Sequence, residues 1–265
     1  NINLFIAGNA QGKTNLIEAI YYLGHNRSFK TKTIAEVVHY NFNDFQINAK
    51  VDNHRIKLEK SRKKNTISID QQRIKNTSQL TQLLPIQIIT PDKGFIFNGT
   101  PKNKRSYLDW GVFHVELKFL EVFKSYNKTL KNINVLLLNN KVSELDFWFL
   151  ELSKTAKEIN KNRIQYIDQL KKTADSKDLK QLLVLFDSID SFDYQFYSGW
   201  PKEVDALDEQ SIYRYLSKNT QSLLKKNYLN YGPHKASLNF SLNNKNECFL
   251  SRGEQKTLSI IFWLT

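Results

Sequence analysis

The chain of 265 residues contains a single cysteine, Cys248, no methionine, and only 26 acidic residues against 39 lysines and arginines. A lone cysteine cannot close an intramolecular disulfide. The five histidines (His25, His39, His54, His114 and His234) show neither HxxxH spacing nor cysteine neighbours. Together these absences argue for a reducing compartment and against a structural zinc site. No apolar run approaches the roughly 18 to 20 residues that cross a bilayer, and even Leu182-Leu183-Val184-Leu185-Phe186 is flanked by polar residues within a turn. A membrane span is therefore not expected. Also missing are an initiator methionine and a basic leader. Asn1 to Ile6 reads as the middle of a strand, so the sequence is expected to begin inside a domain. An average composition would carry about five methionines.

What is present is 40% apolar and 12% aromatic content, enough for one large or two modest domains with real cores, which excludes disorder as the dominant state. The formal charge is +13 although the charged fraction, 25%, is ordinary, so the asymmetry lies in the sign of the charges. Such an excess points to a polyanionic partner. General solubility is the plainer alternative.

Residues 1 to 24 read as strand, glycine-bearing turn and helix. Ile2, Leu4, Phe5 and Ile6 form a run of the kind found in buried strands. From Thr14 the period changes: Leu16, Ile17, Ile20 and Leu23 lie on one helical face, and Gly24 stands where a left-handed cap would end the helix. Between Val37 and Ser78 short stretches alternate, as in 45–51 and 66–70, and predict antiparallel strands with one wet face. Leu83 to Thr90 is a further strand candidate, closed by Pro91. Beyond Pro101 the texture becomes helical. Leu117, Leu120, Val122, Phe123, Tyr126, Leu130, Ile133 and Leu137 recur at three- and four-residue steps. A second helical stretch covers roughly 147–170, with Lys154, Lys157, Lys161, Arg163, Lys171 and Lys172 on its polar side. Trp110 and Trp148 fall at apolar helical spacings and are expected in the core. After about Tyr228 alternation returns at 236–242, and the chain ends in an apolar helix starting near Glu254. No internal repeat or low-complexity linker is visible.

The first turn, Ala7-Gly8-Asn9-Ala10-Gln11-Gly12-Lys13-Thr14, fits the phosphate-binding P-loop in which the first small residue is alanine. A phosphate needs several N–H groups converging without side chains in the way, and a helix N-terminus adds unpaired donors and a positive dipole end. Lys13 would reach the β and γ phosphates of ATP, and the Thr14 hydroxyl would complete the shell of a Mg²⁺ ion. A chance match in an ordinary strand-to-helix turn arises in roughly one chain in fifty of this length. Here the match also has an apolar run before it and an amphipathic helix after it.

Near the other end, Leu250-Ser251-Arg252-Gly253-Glu254-Gln255 contains an S-x-x-E capping box, which on its own is common. It also resembles the signature of ABC-type ATPases, whose Ser and Gly present a helix N-terminus to the γ-phosphate held by another subunit. With both motifs in order, the chain resembles the RecF family of SMC-like ABC-type ATPases. The resemblance is carried by residues 7–23, Asn-Arg-Ser-Phe-Lys-Thr at 26–31, Pro-Ile-Gln-Ile-Ile-Thr-Pro at 85–91 and the stretch 98–116 that includes Leu-Asp-Trp-Gly. It continues through Gly-Pro-His-Lys-Ala at 232–236 and Leu-Ser-Arg-Gly-Glu-Gln-Lys at 250–256.

That resemblance implies an α/β fold: an ABC-type P-loop ATPase head with a mixed sheet and an inserted helical lobe. The expected divisions are 1–100 for the first part of the head, 101–225 for the lobe and 226–265 for the signature-bearing part. It implies a cytoplasmic, weak ATPase that dimerises around ATP and Mg²⁺, binds duplex DNA near single-strand gaps, and assists RecA loading with RecO and RecR. Lys13 and Gln87 become the catalytic candidates, with Thr14 and Gln87 at the metal. Ala7 to Thr14 together with Ser251, Arg252, Gly253 and Gln255 become the nucleotide contacts. Gln87 is otherwise a plain strand residue. The Walker B acids of such an ATPase are expected beyond the last helix, outside residues 1–265.

For DNA, Arg55, Lys57, Lys60, Arg62, Lys63 and Lys64 crowd one short window opposed only by Glu59, and Lys102, Lys104 and Arg105 form a second cluster. A solvated hairpin is the blander reading of the first cluster. No base-reading motif is visible, so backbone contacts without sequence preference are expected. Two alternatives from other classes are a small-molecule or nucleoside kinase using the same P-loop, which leaves the signature and the basic excess unexplained, and a non-catalytic DNA clamp.

Overall fold

The computed structural model describes residues 3–90, 96–174, 192–242 and 245–264. They fall into two compact units, residues 1–88 and 89–265. Ile2, Pro91 and the apolar run 182–186 lie outside the described residues.

The first unit contains α1 (Lys13–His25), a four-stranded antiparallel meander of β1 (Asp44–Val51), β2 (His54–Ser61), β3 (Asn65–Ile69) and β4 (Gln72–Arg73), and α2 (Ser78–Leu83). The alternation seen in the sequence sets the register. Ile47 faces Leu58, which faces Ile67, and Ala49 faces Ile56, which faces Ile69. Asp70 and Gln71 both take positive φ (50° and 69°), the geometry that lets a two-residue turn follow the twist of its strands. Ile56, Leu58 and Ile67 on the inner face pack with Tyr22 and Leu23 of α1 and Leu80 of α2. Full burial of one such aliphatic side chain is worth about 1.5–3 kcal/mol.

Three expectations for this unit are corrected. Residues 3–8 form no strand, and Leu4, Phe5 and Ile6 are exposed; among the described residues no neighbouring strand offers them a hydrogen-bond ladder. The helix does not stop at Gly24 but at Asn26, whose left-handed φ of 52° and N–H to Tyr22 O make the cap. Gly24 is needed for proximity instead, because a Cβ there would lie 2.8 Å from Leu84 O. The buried face of α1 is accordingly Glu18, Tyr21, Tyr22, Leu23 and Gly24, with Leu16, Ile17 and Ile20 exposed. Finally, 83–90 is no strand: α2 ends at Leu83 and the chain runs on irregularly, with Thr90 alone in a bridge.

The second unit is built on α3 (Pro101–Val115), α4 (Phe119–Leu138) and α5 (Leu145–Ala174), followed by β5 (Phe192–Tyr197), α6 (Glu209–Lys218) and α7 (Thr220–Lys226). It closes with β6 (Ser237–Leu242), β7 (Lys245–Asn246) and α8 (Arg252–Leu264). Thr100 caps α3 by accepting from Asn103 N (3.3 Å), with Pro101 opening the helix, and Asp208 caps α6 through Gln210 N and Ser211 N. The three strands form an antiparallel sheet in the order β5-β6-β7. One core joins α4, α5 and α6 around Tyr126, Ile133, Phe149, Leu152 and Ile212. A second packs Tyr194, Leu238 and Phe240 of the sheet against Tyr107 of α3 and Leu258 and Phe262 of α8. Trp148 packs partly buried against the first core, as its spacing predicts.

Arg163, expected on the polar side of α5, is instead 1% exposed. It donates to both carboxylate oxygens of Asp109 on α3 (2.8 and 3.0 Å) and to Pro233 O (2.8 Å). Gly232 and Gly199 approach so closely that a Cβ on Gly199 would sit 2.0 Å from Gly232 O. The Gly-Pro-His-Lys-Ala stretch is thus clamped from α3, α4 and α5 at once. Arg105 donates to Ala236 O (2.8 Å), and Tyr126 bonds His234 (2.7 Å).

Candidate nucleotide site and charged surfaces

The P-loop lies in the first unit and is exposed along residues 7–12. Gly12, at φ 84°, turns the chain into α1 and leaves the helix without a side-chain cap. Nothing lies within 4 Å of where a Gly12 Cβ would stand, so the left-handed backbone, not crowding, requires glycine there. Ala10 also takes positive φ (62°), which folds the loop back on itself. The Gln11 side chain accepts from Gly8 N (3.0 Å), and Lys13 Nζ donates to Ala7 O (2.6 Å) and Gly8 O (2.7 Å). The lysine amine is therefore held over the loop by its rim carbonyls, beside the uncapped first turn. Thr14 is exposed on that same turn. This donor set fits a nucleotide phosphate chain: open N–H groups, a fixed cation, and a hydroxyl able to serve a Mg²⁺ shell.

The signature lies in the second unit at the start of α8. Its capping box is reciprocal: Ser251 N donates to Glu254 Oε2 (2.7 Å) and Glu254 N donates to Ser251 Oγ (3.3 Å). Hydrogen bonding from the Ser251 side chain, and then from its backbone N–H, holds the Glu254 carboxyl below the usual carboxylate range. Gln255, which the resemblance places at the nucleotide, donates from its side chain to Leu250 O (2.8 Å). Ser251, Arg252 and Gly253 are exposed, so this helix N-terminus is open to a partner.

Known proteins resemble this chain over nearly its whole length. No family model matches it. The DNA replication and repair protein RecF of Pseudoalteromonas translucida is 34% identical over 266 residues, 97% of this chain and 70% of that protein. The chain belongs to the RecF family. RecF of Haemophilus influenzae is likewise 34% identical over 97% of this chain and 70% of its own length, and RecF of Psychromonas ingrahamii is 35% identical over 96% and 70%. A solved structure described as the recombination mediator protein RecF-ATP in the RecFOR pathway superposes with a TM-score of 0.77 at 25% identity, covering 97% of this chain and 71% of that one. A second RecF structure from the same pathway gives 0.74. The fold is accordingly that of an ABC-type ATPase, and the role of this RecF-family chain is that of a recombination mediator.

The cations singled out from the sequence separate into four groups. Lys104 is the clearest correction: it is 5% exposed and paired with Glu247, because its side chain points inward over Phe240 of the second core while 101–103 on the same turn are exposed. Arg105 is half-buried and committed to Ala236 O, and Lys60 is half-buried and donates to Asn26 O (2.7 Å) and Asn26 Oδ1 (3.2 Å), with burial lowering its pKa. Lys57 and Lys64 are exposed but share Glu59, whose carboxyl their hydrogen bonds hold at about 2. Arg55, Arg62, Lys63 and Lys102 remain exposed on the surface. Gln87 is half-buried and donates to Ile88 O (3.1 Å).

One cation escaped the sequence reading. Lys50 on β1 stands directly opposite Arg55 on β2, and a depression of about 590 Å³ on this outer sheet face is lined by both, with Asn48, Lys57, Ser68 and Gln71. Its signal was present in the alternation: Asn48 and Lys50 fall on the wet face of the strand. Like charges placed directly across an antiparallel pair oppose sheet formation.

Proposed function

We propose that this chain works as a RecF-type mediator through ATP-dependent association of two copies, coupled to holding duplex DNA near single-strand gaps, with RecO and RecR as partners in loading RecA. In this reading the P-loop of one copy, Ala7 to Thr14, holds the phosphates of ATP and the Ser251–Gln255 segment of the other closes over them. The observation that carries it is that both helix N-termini are exposed: the one at Gly12 has no side-chain cap, and at the other Ser251, Arg252 and Gly253 face solvent ahead of the capping box. ATP, when bound, supplies the γ-phosphate charge on which both termini converge. Lys13 provides the fixed cation and Thr14 the hydroxyl for Mg²⁺, while Gln87 is the residue we assign to orienting metal or water. Hydrolysis serves as a slow switch, since a change of association state needs differential binding and not rapid turnover.

For DNA we assign the outer face of the β1-β2-β3 sheet, with Lys50, Arg55 and Lys57, and the adjoining turn at Arg62 and Lys63. These reach phosphates and not base edges, which suits binding without sequence preference.

Sedimentation of the full-length protein with ATP, ADP or no nucleotide, each with and without duplex, tests the reading. Dimers are expected with Mg²⁺-ATP and to be strengthened by duplex, and Ser251→Arg is expected to abolish that increment. A kinase would stay monomeric and consume ATP on a small acceptor. A clamp would dimerise regardless of nucleotide. Either result overturns the proposal.

A further inference from the structure

The pair of Lys104 and Glu247 is placed where a stability device would be poor. The two side chains are 7% and 4% exposed, and charges removed from water to that degree lose hydration that their mutual attraction only partly restores. What the pair does accomplish is geometric. Glu247 opens the short helical turn Glu247–Phe249 that leads directly into Leu250 and the Ser251 cap. Its carboxylate gathers donors from three separate segments: Lys104 Nζ in the first turn of α3, Asn98 N at 2.7 Å in the bend before that helix, and Phe240 N at 3.2 Å in β6. Lys104 is itself held from the other side, 5.5 Å over the Phe240 ring.

The far side of α8 is tied to the same bend. Ser259, fully buried, accepts from Ile96 N (3.0 Å) and Phe97 N (3.4 Å), and Tyr107 OH donates to Phe262 O (3.1 Å). The helix carrying the signature is thus pinned at its body by Ser259 and Phe262, whereas its approach is pinned by Glu247 alone among these anchors. Three residues separate Glu247 from Ser251, so there is little slack between the clamp and the cap.

We infer that Glu247, held by Lys104, is a positioning residue that fixes the direction in which Ser251 and Gly253 present the α8 N-terminus. This deepens the proposed function and rests on its reading that the segment closes over a nucleotide held by a second copy. A charged clamp suits the task better than an apolar contact because three directed hydrogen bonds define an orientation, while apolar packing defines mainly a distance.

The test uses full-length protein carrying Glu247→Gln, which keeps the shape and one acceptor but loses the charge, and in parallel Lys104→Met, which leaves the carboxylate in place for Asn98 and Phe240. Three quantities are read: nucleotide binding by the isolated copy, ATP-driven association by sedimentation, and hydrogen exchange of the amides at 251–255. The expected result is nucleotide binding within about twofold of the parent, association weakened by roughly tenfold or more, and faster exchange at 251–255 without loss of protection across α4 and α5; a tenfold loss corresponds to about 1.4 kcal/mol. Unchanged association with unchanged exchange in both variants overturns the inference. If Glu247→Gln does not fold, the Lys104→Met result decides. The exchange measurement needs no dimer: parent protein that remains monomeric with Mg²⁺-ATP defeats the proposed function, whereas unaltered exchange in a folded variant defeats the positioning role by itself.

Discussion

Acidification provides a direct probe of the clamp around residues 232–236, through His234. Its Nδ1 lies 2.7 Å from Tyr126 OH and its Nε2 lies 3.1 Å from Leu229 O. Leu229 O can only accept, so Nε2 carries the proton and Nδ1 accepts from the tyrosine, which fixes the neutral ring as a single tautomer. Burial pushes the imidazole from its ordinary 6.5 down to about 4, with Lys235, Arg105 and Arg163 adding repulsion against a charged ring. The folded value is depressed, so the unfolded chain binds the extra proton first. The contribution to stability is complete above about pH 6.5 and is lost as pH falls toward 4. For a single group with these two values, linkage gives a loss of about 2 kcal/mol between pH 7 and pH 4.5. Other groups also titrate in that window, so the measurement is a difference: denaturant unfolding of the parent and of His234→Gln at both pH values. Gln supplies a donor and an acceptor but no titration. The parent should lose about 2 kcal/mol more than the variant across the interval. Equal losses, or a His234 ring proton titrating near 6.5 by NMR, would refute the buried neutral imidazole.

Two further perturbations follow from the same structure. Arg163→Met leaves Asp109 without its bidentate partner and Pro233 O without a donor, so it should destabilise by about 3 kcal/mol, seen as a fall in Tm of roughly 6–12 °C in thermal unfolding. A shift of less than about 0.5 kcal/mol would mean that Arg163 is the surface residue its helical position implied. Lys50→Gln combined with Arg55→Gln should weaken duplex binding and lower the slope of log K against log salt by about 2, measured by anisotropy over a salt series; an unchanged slope would remove this sheet face from the DNA assignment.

The features legible in the sequence were those whose causes are local. A glycine before Lys-Thr, strict alternation in 45–51 and 66–70, and an S-x-x-E box each act within a few residues, and the loop, the strands and the α8 cap stand where those signals placed them. The failures involve partners far along the chain. Leu4 to Ile6 has the composition of a strand, but a strand exists only when another backbone pairs with it. Gly24 suggests a helix terminus because positive φ is the usual reason for glycine there; its actual constraint is the Leu84 carbonyl, 60 residues away. Arg163 and Lys104 look like solvated cations in any local window. Their carboxylate partners lie 54 and 143 residues distant, and no periodicity within one helix reveals them.

Internal use of cations bears on the polyanion argument in a way that counting alone does not show. Lys104 and Arg163 are withdrawn from the surface, but each takes an acid with it, Glu247 and Asp109, so their removal leaves the +13 excess intact. Arg105 and Lys60 are different, since carbonyls and an amide hold them and no acid is consumed. Setting both aside gives 13 − 2 = +11 for the rest. Most of the positive excess therefore remains outside these internal contacts, and on the outer sheet face Lys50 stands opposite Arg55. An arrangement that sets like charges across a ladder and leaves them exposed works against folding in isolation. On the DNA assignment proposed above, phosphates in the depression between them would offset that repulsion.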